Sequence, residues 1–264
     1  MPTTIPEPRW LTWPVRILIF IGMLLLVEPV QLLAKVPDMR LSAPLKRELA
    51  WRYTPAWWGG RGPKDFSHID HLSLEIPRFS VAPLRGLELF TGLRHLDISP
   101  ERPLQPSELA PLRQVPNLRE LWIQHGYDVQ GGEVLPTLQG ITSVEELVVF
   151  GFSDTDLEPL RSVTNLRMLA LSQNHHVTDL TPLADLPHLK ELELFEITGI
   201  RDLSPLARCT QLERVQITGV DPSGIADLRP LLALPHLKEV TVDQDHPDTA
   251  TLKALRVKGV KTSP

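Results

Sequence analysis

The sequence predicts an α/β solenoid, in which short strands stack side by side and short helical turns return the chain from one strand to the next. Two patterns predict this class. The motif Leu-x-x-Leu-x-Leu, with Val or Ile allowed at each Leu position, occurs eight times. A further Leu lies six residues before seven of the eight motifs. Self-similarity at a period of about 20–50 residues is typical of stacked repeats.

The strand of each repeat lies in the Leu-x-Leu half of the motif. The motifs begin 22–26 residues apart, at Ile69, Leu93, Leu118, Val144, Leu166, Leu189, Leu212 and Leu237. Because alternate residues of a strand face opposite sides, these leucines line one buried face. A single repeat would leave half of its leucines exposed. Neighbouring repeats must therefore cover them, and stability resembles a sum of unit and interface terms.

The segment between two strands predicts a short helical turn. In five repeats a Pro directly precedes the Leu that lies six residues before the motif. These are Pro111, Pro159, Pro182, Pro205 and Pro230. In two of these repeats a hydroxyl residue, Thr181 or Ser204, precedes the Pro. Such a pair is typical of a helix N-cap followed by Pro in the first helical position. We therefore expect Thr181 and Ser204 to cap their turns.

Residues 179–194 (DLTPLADLPHLKELEL) and 202–217 resemble internalin-type bacterial leucine-rich repeats. The resemblance covers roughly residues 66–245. It implies a curved, right-handed leucine-rich-repeat solenoid of about eight repeats, with a parallel β-sheet on the concave face and short 3₁₀ or α turns on the convex face. It also implies that concave residues bind a ligand. The Asn that usually follows the strand is mostly missing, with Asn174 nearest to its place, and two repeats contain irregular insertions, so ligand identity does not carry over.

Residues 1–36 predict a cleaved signal peptide or an uncleaved signal anchor. Arg9 and Arg16 precede an unbroken apolar run from Ile17 to Val27, which is signal-peptide geometry. A spanning helix needs about 20 apolar residues, and an extended one here would contain Glu28. We expect an exported or membrane-anchored protein of the cell envelope, with this segment as its membrane contact. A buried core helix of a soluble domain is the alternative.

The predicted repeat domain, residues 67–246, needs a cover at each end. Residues 37–66 contain Trp51, Trp57 and Trp58 and predict a helical N-terminal cap or, alternatively, a juxtamembrane aromatic belt. Residues 247–264 predict a C-terminal cap. Within it, Thr249–Arg256 predicts a helix, and Val257–Val260 predicts a short strand.

Composition and motifs argue against several functions. The net charge of −5 leaves no basic field that would attract nucleic acid. Cys209 is the single cysteine, so an intramolecular disulfide and a cysteine-rich zinc site are excluded, and we expect an inert thiol. The chain carries no common catalytic or phosphate-binding motif. We expect no enzyme activity, no cofactor and no metal; the alternative is a loop-borne site near Tyr127-Asp128 or His175-His176.

The residues between the strand leucines predict a partner-binding surface. Large apolar side chains, which are unusual on a solvated strand face, alternate there with carboxylates. The predicted surface consists of Glu120, Trp122, Glu146, Val148, Phe150, Met168, Glu193 and Phe195. Acid around aromatic groups favours a basic or amphipathic protein or peptide over nucleic acid. The alternatives are a crowded face covered by the chain's own termini, and a secreted effector or scaffold whose repeats act as a spacer.

Overall fold

The computed structural model of the protein describes residues 42, 44–45, 66–67, 69–80, 83–125, 133–219, 224–225 and 227–263. These residues form one sheet of nine parallel strands that follow the order of the chain. The strands are β1 (His71–Ile76), β2 (His95–Pro100), β3 (Glu120–Gln124), β4 (Glu146–Phe150), β5 (Met168–Asn174), β6 (Glu191–Ile197), β7 (Arg214–Thr218), β8 (Glu239–Val242) and β9 (Lys261–Ser263). The first eight contain the eight predicted segments, so the predicted leucine-rich-repeat solenoid is confirmed.

Short helical turns connect the strands, as predicted. Three α-helical segments lie wholly within the described residues: α1 (Pro106–Leu109), α2 (Leu135–Leu138) and α3 (Thr249–Val257). Residues 44–45 are also helical. The 3₁₀ segments are Leu87–Leu89, Ala110–Gln114, Glu158–Ser162, Thr181–Asp185, Ser204–Arg208 and Arg229–Ala233. In most of them a Pro occupies one of the first two positions, where its missing N–H breaks no hydrogen bond. The Leu after this Pro is buried each time.

One continuous apolar core runs through all the repeats. Leu121, Leu147, Leu169 and Leu192 stand directly opposite one another on β3 to β6, and each is fully buried. Burial of a leucine side chain contributes about 1.5–3 kcal/mol. Each of these side chains packs between its counterparts in adjacent repeats. This packing fixes the strands relative to one another, and with them the side chains on the outer face of the sheet.

The prediction that Thr181 and Ser204 cap their turns is wrong. Both residues lie one position inside the 3₁₀ segment, and an Asp two residues earlier accepts their backbone N–H. Asp179 Oδ1 lies 2.8 Å from Thr181 N, and Asp202 Oδ1 lies 2.7 Å from Ser204 N. Each hydroxyl donates to the same Asp. An Asp side chain closes such a local turn more effectively than a hydroxyl, which explains the difference. The same arrangement recurs at Asp156.

The C-terminal segment differs in part from its prediction. A helix, α3, begins after Asp248, whose Oδ1 accepts a hydrogen bond from Thr251 N at 3.0 Å. The strand predicted over Val257–Val260 is wrong, because Val257 is the last residue of α3 and its side chain is 89% exposed. The chain then turns at Gly259, which has a φ of 86°, and pairs with β8 only from Lys261 onward.

Buried polar groups link three successive repeats near the middle of the chain. Asn174 Nδ2 donates to the carbonyl oxygens of Phe152 and Asp154, both at 3.0 Å. The Asp154 carboxylate in turn accepts the N–H groups of Val134 and Leu135, at 2.9 and 3.0 Å. Asn174, the last residue of β5, thus links its repeat to the preceding one, and Asp154 closes the start of α2.

The predicted signal or anchor segment, residues 1–36, lies outside the described residues, as does most of the predicted N-terminal cap, residues 37–66. Of that cap, residues 42, 44, 45 and 66 are described, and all four are buried. Residues 44–45 are helical, and the ring of Phe66 stacks on Phe90 at 5.0 Å. Within the described part of the chain, no helix combines the length and apolar character needed to cross a membrane.

Candidate partner-binding surface

The sheet face opposite the core carries its side chains in three rows that run across the strands. Row 1 contains His71, His95, Glu120, Glu146, Met168, Glu191, Arg214, Glu239 and Lys261. Row 2 contains Ser73, Asp97, Trp122, Val148, Ala170, Glu193, Gln216, Thr241 and Ser263. Row 3 contains Gln124, Phe150, Ser172, Phe195 and Thr218. Strands lie about 4.8 Å apart, so neighbours within a row are close enough to interact.

Aromatic rings meet at the β1–β3 end of rows 1 and 2. The rings of His71 and His95 stack with centroids 4.2 Å apart, and Trp122 meets His95 edge-on at 5.2 Å. His95 Nδ1 also lies 2.6 Å from a carboxylate oxygen of Glu120. Trp122 is half-buried, and its Nε1 is buried with no hydrogen-bond partner. These contacts fix the position of Trp122 and leave one donor unsatisfied.

Carboxylates crowd row 1 between β3 and β6. Glu120 and Glu146 are directly opposite each other, and Glu191 lies two strands further along. Burial raises the pKa of Glu146, and the neighbouring negative charges raise it further. Glu120 pairs with His95 and Glu191 pairs with Arg214. Glu146 and Glu193 have no ion-pair partner among the described residues, so this part of the face presents negative charge that those residues do not neutralise.

Strand β5 carries small outward side chains between larger ones on β4 and β6. Its outward side chains in rows 2 and 3 are the small residues Ala170 and Ser172. Their neighbours in register are larger: Val148 and Phe150 on one side, Glu193 and Phe195 on the other. Ser172 is only 8% exposed, and its Oγ is buried without a hydrogen-bond partner. Phe195 is 38% exposed, which is unusual for an aromatic side chain on a sheet face.

The backbone is strained just beyond row 3 on two strands. Gln173 and Glu196, which directly follow Ser172 and Phe195, have φ values of 53° and 54°. The corresponding positions on β4 and β7 are Gly151 and Gly219, for which this conformation carries no steric penalty. The side chains of Gln173 and Glu196 are joined by a hydrogen bond of 2.9 Å. This bond links β5 and β6 just beyond row 3.

All eight predicted surface residues lie on the outward rows of four adjacent strands, β3 to β6. Trp122, Val148, Phe150 and Met168 are half-buried, and Glu193 and Phe195 are exposed. The structure therefore brings these residues together on one surface. Sequence reasoning did not single out Ala170 and Ser172, because a small side chain gives no signal until its larger neighbours, 22–23 residues away in sequence, are placed beside it. The structure also buries Ser172, which is 8% exposed.

The structure gives little support for the alternative sites in the loops. His175 Nδ1 lies 2.8 Å from Thr198 Oγ1, and no group of three or more His, Cys, Asp or Glu side chains in the described ranges is arranged to hold a metal ion. The Tyr127-Asp128 pair lies outside the described residues. Cys209 is buried, and burial raises the pKa of its thiol to about 11, which suppresses the reactive thiolate.

Comparison with known proteins agrees with this geometry. Residues 164–208 match the family described as leucine-rich repeats in two copies. Internalin C2 from Listeria monocytogenes is similar at 22% identity, with a TM-score of 0.52 over 69% of this chain and 76% of that chain. Internalin InlF from the same organism has 19% identity and a TM-score of 0.49, over 84% and 74%. A leucine-rich-repeat protein of Leptospira interrogans has 20% identity and a TM-score of 0.45, over 60% and 38%. No curated protein matches the chain.

The stacked parallel strands, the short turns and the repeat period define a leucine-rich-repeat fold. Within this class the chain resembles the internalin-type domains, as residues 179–217 predict. At these sequence identities the similarity establishes the fold alone.

Proposed function

We propose that this protein is a binding module that holds a basic or amphipathic protein or peptide on its concave face, without catalysis. The observation that carries the proposal is the surface on β3 to β6, where the aromatic side chains Trp122 and Phe195 share a face with carboxylates that have no ion-pair partner in the part of the chain that the structure describes. Aromatic anchors in partly desolvated surroundings are the groups that most often dominate binding energy. Unneutralised negative charge selects a partner of opposite sign.

A peptide library tests this proposal. The immobilised protein is exposed to a library of random, linear peptides, and the enriched sequences are synthesised and their affinities measured. We expect enrichment of Lys or Arg next to apolar residues. The Trp122→Ala variant is expected to weaken binding of the enriched peptides by about 2 kcal/mol if Trp122 is a hot spot.

Phe79 offers the matched control for an aromatic side chain. It is 91% exposed but lies beyond the end of β1, outside the proposed surface. Phe79→Ala is expected to leave peptide affinity unchanged, and circular dichroism checks that both variants remain folded. Enrichment of acidic or neutral peptides, or equal affinity in the wild type and Trp122→Ala, would contradict the proposal.

We also propose that the protein acts in the cell envelope, on the basis of the apolar run from Ile17 to Val27 behind a positively charged start. The mass of the mature N-terminus, measured after cell fractionation, tests this. A membrane-bound or exported protein supports it, whether or not residues 1–36 are removed. A full-length protein in the soluble intracellular fraction would contradict it.

A further inference from the structure

We infer that the turn after β1, residues 77–80, inserts the ring of Phe79 into the surface of a lipid bilayer. The inference goes beyond peptide binding on the concave face. It rests on the proposed place of the protein in the cell envelope, with residues 1–36 still attached. Phe79 is 91% exposed, the highest value for a large apolar side chain among the described residues. Single exposed apolar side chains are common, so the way in which this one is held matters more than its exposure.

Hydrogen bonds hold the turn that carries Phe79. Ser80 N donates to the carbonyl oxygen of Pro77 at 2.9 Å, which closes the turn. The guanidinium group of Arg102 then donates to the carbonyl oxygens on both sides of Phe79, those of Arg78 and Ser80, at 3.0 Å each. The ring therefore projects from a turn whose flanking carbonyl groups are already bonded within the protein.

The connection between β2 and α1 fixes Arg102 in turn. Its Nη1 and Nη2 atoms lie 2.8 and 2.6 Å from the two carboxylate oxygens of Glu108, a paired geometry that is among the strongest in proteins. The Glu101 carboxylate also accepts the backbone N–H of Arg78 at 3.1 Å. Because these contacts already order the turn, little further conformational entropy is lost when Phe79 binds.

The chain ties this turn to the predicted membrane segment through a short tether. Ser42 N donates to the carbonyl oxygen of Arg85 at 2.8 Å, and its hydroxyl donates to that of Pro83. Both acceptors lie with Phe79 on one connection, between β1 and the first 3₁₀ segment. Six residues lead from residue 36 to Ser42, and they span at most about 22 Å. A retained membrane segment therefore holds the first repeat, and not the last, close to the bilayer.

The groups around Phe79 suit the surface of a bilayer. Apolar side chains of surface-bound segments enter about 5–10 Å, as far as the boundary between headgroups and acyl chains. Arg78, directly before Phe79, is exposed and has no ion-pair partner among the described residues, so it is available to lipid phosphates. The carbonyl groups of Arg78 and Ser80 remain bonded to Arg102, so that insertion leaves neither of them without a hydrogen bond.

A fluorescent label measures whether the turn enters a bilayer. The full-length Ser80→Cys protein is labelled with the dye NBD and reconstituted into vesicles of phosphatidylcholine and phosphatidylglycerol. The native Cys209 is buried, and burial raises the pKa of its thiol to about 11, so the label goes to position 80. A lipid with a spin label near the top of its acyl chain quenches a dye that reaches this depth. We expect the dye at position 80 to lose most of its fluorescence.

Two matched proteins control for simple proximity to the membrane. Combining Ser80→Cys with Phe79→Ser is expected to abolish the quenching, because the inserting ring is gone, and so exposed a side chain is dispensable for folding. Val257→Cys places the same dye on an 89% exposed position at the end of α3, beside the last repeats, and it should remain unquenched. Equal quenching with and without Phe79, or at positions 80 and 257, would overturn the inference. An unquenched dye at position 80 would also overturn it, and would favour an apolar pocket of a protein partner.

Failure of this inference can be told apart from failure of the proposed function. Flotation of the vesicles shows separately whether the full chain is bound to them. A bound chain whose dye at position 80 is not quenched contradicts the inference alone. A chain that does not float with the vesicles contradicts the place in the cell envelope, and the inference with it. Peptide affinity on the concave face is measured independently, because Phe79 lies outside that surface.

Discussion

Asp154 carries a buried carboxyl group whose ionisation is linked to folding. Its two oxygens accept backbone N–H groups at the start of α2, and the residue is 3% exposed. Burial raises the pKa of Asp154 to about 6 from an ordinary value of 3.8, although the two N–H groups act in the opposite direction. The folded protein therefore holds this proton over a pH range in which the unfolded chain has released it.

Stability is expected to fall as the pH rises through this range. The folded-state pKa of Asp154 is the higher one, so its contribution is full below about pH 3.8 and is lost as the pH passes about 6. The shift corresponds to at most about 3 kcal/mol. Urea unfolding of the wild type and of Asp154→Asn, at about pH 4.5 and about pH 7.5, measures it. The wild type should lose stability relative to the variant.

Other titrating carboxyls do not obscure this comparison. Hydrogen bonds from Lys238 and Lys190 lower the pKa of Glu213 to about 2, and a hydrogen bond from Arg229 lowers that of Asp227 to about 2. These groups stay ionised throughout the comparison, and they are the same in both proteins. A stability difference between wild type and Asp154→Asn that does not vary with pH would show that Asp154 is ionised in the folded state at low pH.

Cys209 is expected to report opening of the solenoid. The thiol is buried between core leucines, and burial raises its pKa to about 11. Because only the thiolate reacts with alkylating and disulfide reagents, the native protein should be labelled far more slowly than the urea-unfolded chain. Labelling monitored by mass spectrometry, with the unfolded chain as reference, measures the ratio. Equal rates in native and unfolded protein would contradict the burial of this side chain.

At the scale of the single turn, the capping residue is an Asp that sequence reasoning overlooked. Local rules assign the cap to the residue before Pro, but the chain enters the 3₁₀ segment one residue earlier than those rules assume. A rule that considers each residue separately cannot locate the start of the 3₁₀ segment. The recurrence of an Asp three residues before the Pro of the turn, as in Asp179 and Asp202, was the available signal.

Substitution of Asp179 tests the assignment of the cap. Asp179→Ala is expected to destabilise the protein by about 1 kcal/mol, because Thr181 N then loses its acceptor. Asp179→Asn is the matched control and should have little effect, since Asn also caps well. Urea unfolding measures both. A larger loss in Thr181→Ala than in Asp179→Ala would restore the hydroxyl residue as the cap.

The strand elements were predictable and the end of the chain was not. The Leu-x-Leu pattern fixes the register of each strand, because a shift of one residue in the pairing would turn the leucines to solvent. At the C-terminus, Val257 and Val260 suggested a strand by their β-propensity alone. In the structure Leu255 and Val260 are the buried side chains there, so α3 extends to Val257 and the turn at Gly259 precedes the strand. Packing against the last repeat overrides local propensity.

At the scale of the whole molecule, the repeat period was enough to predict both the fold and the composition of the outward rows. Equal spacing places corresponding residues side by side, so Trp122, Val148, Ala170 and Glu193 form a row that can be read from the sequence. The burial of each side chain on this face could not be predicted in this way. It depends on the sizes of side chains from three strands at once, and on which carboxylates find partners.

The charge of the concave face predicts a strong dependence of binding on salt. Glu146 and Glu193 lack ion-pair partners in the described ranges, so a basic peptide enriched from the library should be attracted over a distance comparable to the screening length. This length falls from about 30 Å at 0.01 M salt to about 3 Å at 1 M. Stopped-flow measurements should show a slower association rate at high salt. A rate independent of salt would indicate binding by apolar contact alone.

Hydrogen–deuterium exchange of the protein with and without an enriched basic peptide locates the binding surface most directly. We expect the peptide to slow exchange in the strands 120–124, 146–150, 168–172 and 191–195, and to leave the turns of the opposite side unchanged. Protection confined to those turns, or to the end of the sheet at β8 and β9, would contradict a binding site on the outward face of the central strands.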